Sequence, residues 1–331
     1  MDDSIQKILD QLSIPATSVV KPIGNGHINK TYLVRDQQAY ILQRINNKVF
    51  VEPWVIESNL ENARNHLTAN HPDYLFIAPL KQLVYDDDGY PWRLYPYFEN
   101  TYTIDEAKTV DQAYDAARAF GKFGELMKGC DLSHFKPTIK RFHDLALRYD
   151  QFLAALQTAK PSLKESAAKE IKAALKFKNL VDRYNTVISS NTLVPGIFHN
   201  DTKINNVLFD GSNNKAIAVI DLDTVMEGYF IYDLGDLVRT LVSPVSEEEH
   251  DLDKVVVRKE FYDAVISGYC SEMKGVDESL ASFAGQMMTY IMALRFLADY
   301  LRGNTYYHVT FPDQNLVRAK NQFRLLELLA H

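Results

Sequence analysis

The chain has 331 residues, of which 46% are hydrophobic and 24% charged, with a formal net charge of −7. This composition is typical of a globular protein large enough for two lobes or domains, and it excludes fibrous and disordered classes. The acidic balance argues against nucleic acid as a partner, because a protein that binds the phosphate backbone usually needs a basic surface.

The first residues, MDDSIQKILD, are acidic and amphipathic, without the basic stretch and apolar run of a signal peptide. No apolar run approaches the roughly 20 residues needed to span a bilayer. We therefore expect a cytoplasmic protein with no membrane partner. Cys130 and Cys270 stand alone and far apart, so we interpret both as packing residues rather than as a disulfide or metal site.

The first hundred residues combine short strand-like runs with turns. Thr31–Val34 and Tyr40–Ile45 flank a polar turn and predict a β-hairpin. A second hairpin is predicted around the turn Asp86–Gly89. Between the hairpins, PWVIESNLENARNHLTAN has apolar residues near helical spacing, and Pro53 suits the first turn of that helix.

Helical patterns dominate the chain from Asp105 onward, beginning with DEAKTVDQAYDAARAFGKFGELMKG. The stretch ENTYT, at Glu99–Thr103, separates these patterns from the strand-rich start. We therefore predict an α+β fold with two lobes. A small mixed β-sheet lobe covers residues 1–99, and a larger, mainly helical lobe covers residues 100–331.

One part of the helical half is patterned as strand. NVLFD and AIAVIDLD are short β-rich runs joined by the turn Gly211–Lys215, which predicts a third hairpin. The polar stretch HNDTKINN precedes the first of these strands, and Asp221 and Asp223 end the second. Because a hairpin returns its two ends to the same place, we expect the two polar groups to lie together. The alternative is a pair of solvated turns rich in Asp and Asn.

The spacing in HNDTKINN matches the catalytic loop of protein kinases, in which His-x-Asp is followed five residues after the Asp by Asn. His199, Asp201 and Asn206 occupy those positions, and Lys203 falls two residues after Asp201. Asp221 takes the place of the metal-binding Asp that follows a strand in kinases. Phosphoryl transfer needs oxygen ligands for Mg²⁺ and a carboxylate that orients the attacking hydroxyl, so the pattern favours kinase-like chemistry.

The chain resembles the aminoglycoside phosphotransferase and choline kinase superfamily over nearly its whole length. Within it, the chain looks like the N-acetylhexosamine 1-kinases in the segments GNGHINKTYLV, YILQRIN, HNDTKINNVLFD, VIDLDTVM, DLGDLVRT and LRFLADYL. The resemblance implies a two-lobed protein-kinase-like fold and a kinase that uses ATP and Mg²⁺. It also implies a sugar substrate, phosphorylated on the anomeric C1 hydroxyl of GlcNAc or GalNAc.

The resemblance also implies roles for individual residues of the hairpin region. Asp201 would be the catalytic base, with Lys203 beside it among the catalytic residues. Asn206 and Asp221 would be the Mg²⁺ ligands, and Asp223 a further polar group near the metal or the sugar.

The resemblance implies nucleotide contacts from the strand-rich lobe as well. In IGNGHINKTY, Gly24 and Gly26 would let backbone amides approach the phosphates without Cβ interference. Tyr95–Asn100 would be the hinge whose backbone meets adenine, and we assign Tyr97 to nucleotide binding. Residue 200 is Asn where much of the superfamily has Gly, which we interpret as a subgroup difference.

The sequence departs from the superfamily at the phosphate-binding lysine of the third strand, because AYILQRIN offers Gln43 and Arg44 instead. Period-two alternation sends these side chains to opposite faces, so only one of them can point toward the nucleotide. We prefer Arg44 for its charge; the alternative is a surface arginine. An acidic partner on the following helix would be Glu57 or Glu61, and the sequence does not choose between them.

Two further stretches are candidates for the sugar site. TIKRFHDL contains His143, a candidate substrate contact, and Asp144, which we interpret as a helix cap. ALRFLADYLRGN places Arg295 and Asp299 one helical turn apart, where they either pair with each other or bind substrate. The resemblance favours substrate binding for both.

In YDLGDLVRT, we assign Asp233 and Asp236 to buried hydrogen bonds that support the catalytic loop. Other acceptors remain open, namely an aminoglycoside, choline, homoserine or a different sugar. The alternative from another functional class is a nucleotide-binding pseudokinase, which the missing lysine suggests. The joint presence of His199, Asp201, Asn206 and Asp221 argues against it. The sequence leaves the oligomeric state undetermined.

Overall fold

The computed structural model describes residues 3–23, 29–190 and 192–331. The strands are β1 (Val19–Pro22), β2 (Lys30–Arg35), β3 (Ala39–Arg44), β4 (Val84–Tyr85), β5 (Pro91–Pro96), β6 (Thr101–Tyr102), β7 (Gly196–Phe198), β8 (Val207–Asp210), β9 (Ala216–Val219) and β10 (Met226–Gly228). The helices are α1 (Asp3–Gln11), α2 (Pro53–Asn70), α3 (Val110–Leu126), α4 (Leu145–Thr158), α5 (Pro161–Ser166), α6 (Ala168–Lys176), α7 (Asn179–Ser189), α8 (Phe230–Leu241), α9 (Lys259–Glu272), α10 (Ala281–Leu301) and α11 (Gln314–Leu329).

The chain forms two compact units. Unit 1 consists of Met1–Tyr102, Gly129–Lys140 and Leu208–Glu227, and unit 2 consists of Thr103–Lys128, Arg141–Val207 and Gly228–His331. The first change of unit, after Tyr102, lies close to the predicted lobe boundary after Glu99. Two later segments return to unit 1, which a boundary drawn at one point of the sequence does not describe.

Unit 1 is built on a five-stranded antiparallel sheet with the strand order β1-β2-β3-β5-β4. Leu42 and Leu94 lie opposite each other on β3 and β5, and α1 packs over this face through Ile8, Leu9 and Leu12. The side chains that alternate with them point to the other face of the sheet. Both predicted hairpins of this region are confirmed, with the turns at the predicted places.

Helix α2 begins at Pro53, as the sequence predicts, because proline is already set for the first helical turn and needs no N–H partner there. The buried amide of Asn59 connects α2 to the two later segments of unit 1. Its Nδ2 donates to the carbonyls of Lys136 (2.7 Å) and Val225 (2.9 Å), and its Oδ1 accepts from the Lys136 N–H (3.0 Å). These bonds give a physical reason why both segments belong to unit 1.

The third predicted hairpin is also confirmed. Strands β8 and β9 join β6 in a three-stranded sheet with the order β6-β8-β9. The β8–β9 turn uses Asp210 as its organiser, since its Oδ1 accepts from both the N–H and the hydroxyl of Ser212.

Unit 2 is mainly helical. Helix α3 starts with a reciprocal capping box, in which Thr109 and Gln112 satisfy each other's backbone N–H. Helices α3 and α9 approach closely where each presents a glycine, because a Cβ at Gly121 or Gly268 would overlap a backbone carbonyl of the other helix. Asp144 caps α4 by accepting from the Leu147 N–H at 2.9 Å, which confirms its predicted role.

None of the helices in the described ranges is both long and apolar enough to cross a membrane.

Candidate active site

The HNDTKINN stretch follows β7, and its backbone is held by Asp233 at the start of α8. The N–H groups of His199 and Asn200 donate to the two carboxylate oxygens of Asp233, over 3.2 and 2.7 Å. The Thr202 hydroxyl donates to the Asp233 carbonyl at 2.7 Å. The prediction that Asp233 supports this loop by buried hydrogen bonds is confirmed. Asp236 instead pairs with buried Arg239 at 2.9 Å.

Asn200 adopts a left-handed backbone with φ of 63°. Glycine and asparagine are the residues that enter this region most readily, so Asn can stand where much of the superfamily has Gly. The side chain secures the turn, because Nδ2 donates to the Phe198 carbonyl at 3.0 Å. The turn sets the direction in which the next residue, Asp201, leaves the loop.

Asp201 lies at the centre of three polar side chains. Lys203 Nζ is 2.9 Å from Asp201 Oδ1, and Asn206 Nδ2 donates to Asp201 Oδ2 at 3.2 Å and to its carbonyl at 2.9 Å. The Asp201 N–H donates to His199 Nδ1 at 3.3 Å. The structure thus brings together the two predicted catalytic residues and one predicted metal ligand.

The electrostatics keep Asp201 ionised near neutral pH. Burial would raise the pKa of Asp201, but the ammonium group of Lys203 outweighs it and brings that pKa below its usual value. The same pairing raises the pKa of Lys203. An ionised Asp201 can accept a hydrogen bond from a hydroxyl and take its proton.

His143 supports the loop from the start of α4. Its Nε2 lies 2.7 Å from the Asn200 carbonyl, so that nitrogen carries the proton and donates. Burial lowers the pKa of His143 to about 4, which keeps the ring neutral at physiological pH. Among the described residues, Nδ1 has no hydrogen-bond partner. His143, predicted to contact substrate, is therefore a buried residue that holds the loop through Nε2.

Unit 1 contains a buried ion pair that the sequence analysis missed. Arg93 on β5 is only 1% exposed, and its Nη1 lies 2.5 Å from Asp223 Oδ1. Gln43 Oε1 accepts from Arg93 Nε at 2.9 Å and from Nη2 at 2.5 Å, and Asn29 Nδ2 donates to Asp223 Oδ2 at 2.8 Å. Burial would lower the pKa of Arg93, but the charge of Asp223 raises it overall. The Asp223 carboxylate is thus paired with Arg93, which corrects the expectation that it faces metal or sugar.

Arg44 lies on the other face of the same sheet. In the β3–β5 register Gln43 faces Arg93 and Arg44 faces Trp92, so the predicted alternation is confirmed. Arg44 Nε lies 3.2 Å from an Asp86 oxygen, and its guanidinium stacks 3.5 Å from the Tyr90 ring centre. The preference for Arg44 over Gln43 is therefore wrong as to the face, because Arg44 lies on the side of β3 that α1 covers.

Neither candidate acidic partner on α2 reaches these side chains. Glu57 accepts from the Leu83 N–H at 3.0 Å, and Glu61 lies 3.8 Å from Arg64 at the surface. The acidic partner of the buried arginine is Asp223, which comes from the segment after β9.

Asp221, the other predicted metal ligand, directly follows β9 and Ile220 and has a left-handed backbone with φ of 59° and ψ of 56°. Within the described ranges, no cluster of three or more His, Cys, Asp or Glu side chains forms a ready-made metal site.

Arg295 on α10 lies among aromatic rings. Its guanidinium carbon is 5.4 Å from the ring centre of Phe142, 5.9 Å from that of Tyr306 and 5.5 Å from that of Tyr307. In the part of the chain that the structure describes, Arg295 makes no ion pair. Arg148 is nearby, and burial followed by repulsion from Arg295 lowers the pKa of Arg148 to about 10.

Asp299 does not pair with Arg295. Its carboxylate accepts from the N–H groups of Thr305 and Tyr306 (both 2.9 Å) and of Tyr307 (3.0 Å). The expected sugar contact through Asp299 is corrected, since this buried carboxylate holds the loop that carries two of the rings around Arg295.

The remaining nucleotide predictions concern Gly24, Gly26 and Tyr97. Both glycines lie outside the described residues. The Tyr97 N–H donates to the Ala39 carbonyl at 3.3 Å, so that N–H extends the sheet and is not free for adenine.

Sequence reasoning missed Arg93, Asn59 and Arg148. A usable signal existed for Arg93, which stands between Trp92 and Leu94 in an otherwise apolar strand, where a charged residue needs a partner. Asn59 and Arg148 lie on helices with many polar positions, and nothing in their spacing distinguishes them.

The chain is similar to a known enzyme family and to several solved structures. A model described as "Phosphotransferase enzyme family" matches residues 19–278. The choline kinase LicA from Streptococcus pneumoniae is 14% identical, with 99% of each chain covered and a TM-score of 0.63. An amicoumacin kinase solved with AMP-PNP, Ca²⁺ and Ami is 14% identical, covering 99% of this chain and 96% of that one with a TM-score of 0.57. A spectinomycin phosphotransferase solved with ADP and spectinomycin is 13% identical, covering 98% and 97% with a TM-score of 0.58. These similarities confirm the predicted α+β fold, which has a strand-rich part and a larger, mainly helical part.

Proposed function

The chain belongs to the phosphotransferase enzyme family, and from this premise we propose that it is an ATP- and Mg²⁺-dependent kinase of a small hydroxylated metabolite. The acceptor we propose is a neutral sugar, an N-acetylhexosamine phosphorylated on its C1 hydroxyl. The product is the sugar 1-phosphate.

The observation that carries the proposal is the arrangement around Asp201. An ionised carboxylate, held by Asn206 and by Lys203, is suited to orient the acceptor hydroxyl and to accept its proton as the phosphoryl group transfers. Lys203 has a side chain that is 44% exposed, so its ammonium group can also face the charge on the transferred phosphoryl group.

Asn206 and Asp221 are the proposed Mg²⁺ ligands. Asn206 uses its amide nitrogen to bond Asp201, which leaves Oδ1 as the atom to face a cation. The two residues flank the β8–β9 hairpin, one before its first strand and one after its second. When bound, Mg²⁺ would neutralise phosphate charge and hold the phosphates in place.

For the nucleotide, we retain Gly24, Gly26 and Gln43 as proposed contacts, and Tyr97 through atoms other than its N–H, which is bonded to Ala39. Two of the structurally similar enzymes were solved with AMP-PNP or ADP, which supports an adenine nucleotide as phosphoryl donor. Arg44 is removed from this set because it lies on the opposite face of β3 from Gln43.

The charge around Arg295 supports a neutral acceptor. The loop of Phe142 and His143 joins this aromatic cluster to the catalytic loop, because His143 bonds the carbonyl of Asn200. Two arginines, Arg295 and Arg148, would repel choline or an aminoglycoside, whereas a guanidinium donates readily to the hydroxyl and acetamido oxygens of a sugar. We therefore place a cationic acceptor second, although one similar structure is a choline kinase.

A panel of acceptors tests the proposal. Purified protein is mixed with ATP, Mg²⁺ and either GlcNAc, GalNAc, choline, homoserine or an aminoglycoside, and ADP release is measured. We expect release well above the ATPase background only with the N-acetylhexosamines. Nucleotide binding without transfer to any acceptor would favour the pseudokinase, and transfer to choline or an aminoglycoside would overturn the neutral acceptor.

A further inference from the structure

Two arginine–aspartate pairs lie on opposite faces of the β3–β5 pair of unit 1. Arg93 and Asp223 form the pair on one face, and Arg44 and Asp86 form the pair on the face covered by α1. Arg93 donates to Gln43 through Nε and Nη2, and its Nη1 forms the ion pair with Asp223, so every nitrogen of its guanidinium is engaged. A side chain in this state cannot reach out to a phosphate.

Asp223, the acidic partner of Arg93, belongs to the segment that carries Asp221. Asp223 lies in a 3₁₀ turn, Leu222–Thr224, which starts directly after Asp221. Asp221 itself has the left-handed backbone that a residue with a Cβ adopts only at an energetic cost, so the contacts around it must hold it there.

Among the contacts that the structure describes, two anchors in unit 1 hold this segment. Asn29 and Arg93 bind the Asp223 carboxylate, and Asn59 of α2 donates to the carbonyl of Val225. The side-chain anchor is ionic and buried, and it lies two residues from the proposed metal ligand. Of the two anchors, it is the one whose loss would most directly let Asp221 turn.

We propose that Arg93 is a positioning residue for the metal. By holding Asp223, it fixes the left-handed turn at Asp221 and so the direction in which the Asp221 carboxylate meets Mg²⁺. The inference rests on the proposed function, which assigns Mg²⁺ to Asp221 and Asn206. Arg93 thereby compensates for the missing strand lysine by ordering the metal site and not by binding phosphate.

The test uses the full chain and the double variant Arg93→Met with Asp223→Leu. Replacing both partners of a buried ion pair by apolar residues of similar size is compatible with folding, whereas removing one partner strands a buried charge. We measure binding of a fluorescent ATP analogue across a Mg²⁺ titration, together with the thermal unfolding midpoint. The expected result is a rise in the apparent Kd for Mg²⁺ of about 10- to 100-fold with nucleotide binding in EDTA unchanged.

The matched control is Arg44→Met, which removes an arginine charge from the other face of the same sheet, on the neighbouring strand β3. Asp86 keeps its bonds from the Tyr90 N–H and from Trp92 Nε1, so this variant should fold and bind Mg²⁺ like the wild type. Arg93→Lys keeps the charge but loses the planar fork, and its Mg²⁺ affinity should fall between those of the wild type and the double variant.

The outcomes separate this inference from the proposed function. If Asp221→Asn binds Mg²⁺ with wild-type affinity, the metal assignment fails and the inference falls with it. If Asp221→Asn weakens Mg²⁺ binding but a folded double variant does not, the inference alone is overturned. Should the double variant not fold, wild-type Mg²⁺ affinity in Arg93→Lys overturns it instead.

Discussion

The backbone N–H of Asn200 donates to Oδ1 of Asp233 over 2.7 Å, and this bond holds the left-handed residue that precedes Asp201. The Asp233 carboxylate comes from the start of α8 and also accepts from the His199 N–H. The HNDTKINN loop is therefore shaped by a buried acidic residue more than thirty positions later in the sequence.

The left-handed turn at Asn200 predicts a difference between two substitutions that both remove the side-chain amide and its bond to the Phe198 carbonyl. Asn200→Ala should be less stable than Asn200→Gly by about 1–2 kcal/mol, because only alanine carries a Cβ that makes a positive φ sterically unfavourable. Chemical unfolding and kcat are measured for both. Asn214→Ala, at the left-handed residue of the β8–β9 turn, is the control and should lose stability without a change in kcat. Equal stability of the two Asn200 variants would refute the backbone argument.

The neutral state of His143 predicts how stability depends on pH. Its folded-state pKa, about 4, lies below the unfolded value near 6.5, so between these values the unfolded chain binds more protons. The contribution of His143 is present above pH 6.5 and is lost as pH falls toward 4, by about 2 kcal/mol between pH 7 and pH 5. Urea unfolding of wild type and His143→Gln at these two pH values measures it. The variant should lack this part of the slope; an identical slope would show that His143 titrates normally.

Asp201→Asn should abolish most turnover while leaving binding of Mg²⁺ and ATP nearly intact. The amide keeps the shape but cannot accept the hydroxyl proton, so we expect kcat to fall by about 10²–10⁴-fold. Asp210→Asn, at the far end of β8, is the control and should keep wild-type kcat. Wild-type turnover in Asp201→Asn would show that another group is the base.

Arg295→Met should weaken binding of the acceptor more than binding of the nucleotide. Loss of a charge-assisted hydrogen bond of about 1.5–3 kcal/mol corresponds to a rise in KM for the sugar of roughly 10- to 150-fold, with the KM for ATP unchanged. Arg302→Met is the control, because Arg302 follows the same helix but donates to the Gln151 carbonyl. A larger effect on ATP than on sugar would place Arg295 at the nucleotide.

The sequence predicted the three hairpins and the start of α2 because these depend on local signals. Alternating strands, Asp- and Gly-rich turns and a proline in the first helical turn all act over a few residues. The cluster of Asp201, Lys203 and Asn206 was predictable for the same reason, since one short loop supplies all three.

The errors concern contacts that no local sequence pattern specifies. Arg93 and Asp223 are 130 positions apart, and no local pattern pairs them. Asp299 and Arg295 have the helical spacing of an ion pair, but the Asp299 carboxylate instead accepts hydrogen bonds from three backbone N–H groups of the following loop. The charge of Arg44 favours it as a phosphate ligand, but α1 covers the face of β3 on which Arg44 lies.

The position of the phosphate in the product tests the central claim most directly. Wild-type protein is incubated with ATP, Mg²⁺ and GlcNAc or GalNAc, and the product is analysed by ³¹P and ¹H NMR. The account predicts a single sugar phosphate whose phosphorus couples to the anomeric proton, formed only when Mg²⁺ is present. A phosphate on any other hydroxyl, or no sugar phosphate while choline or an aminoglycoside is phosphorylated, would contradict it.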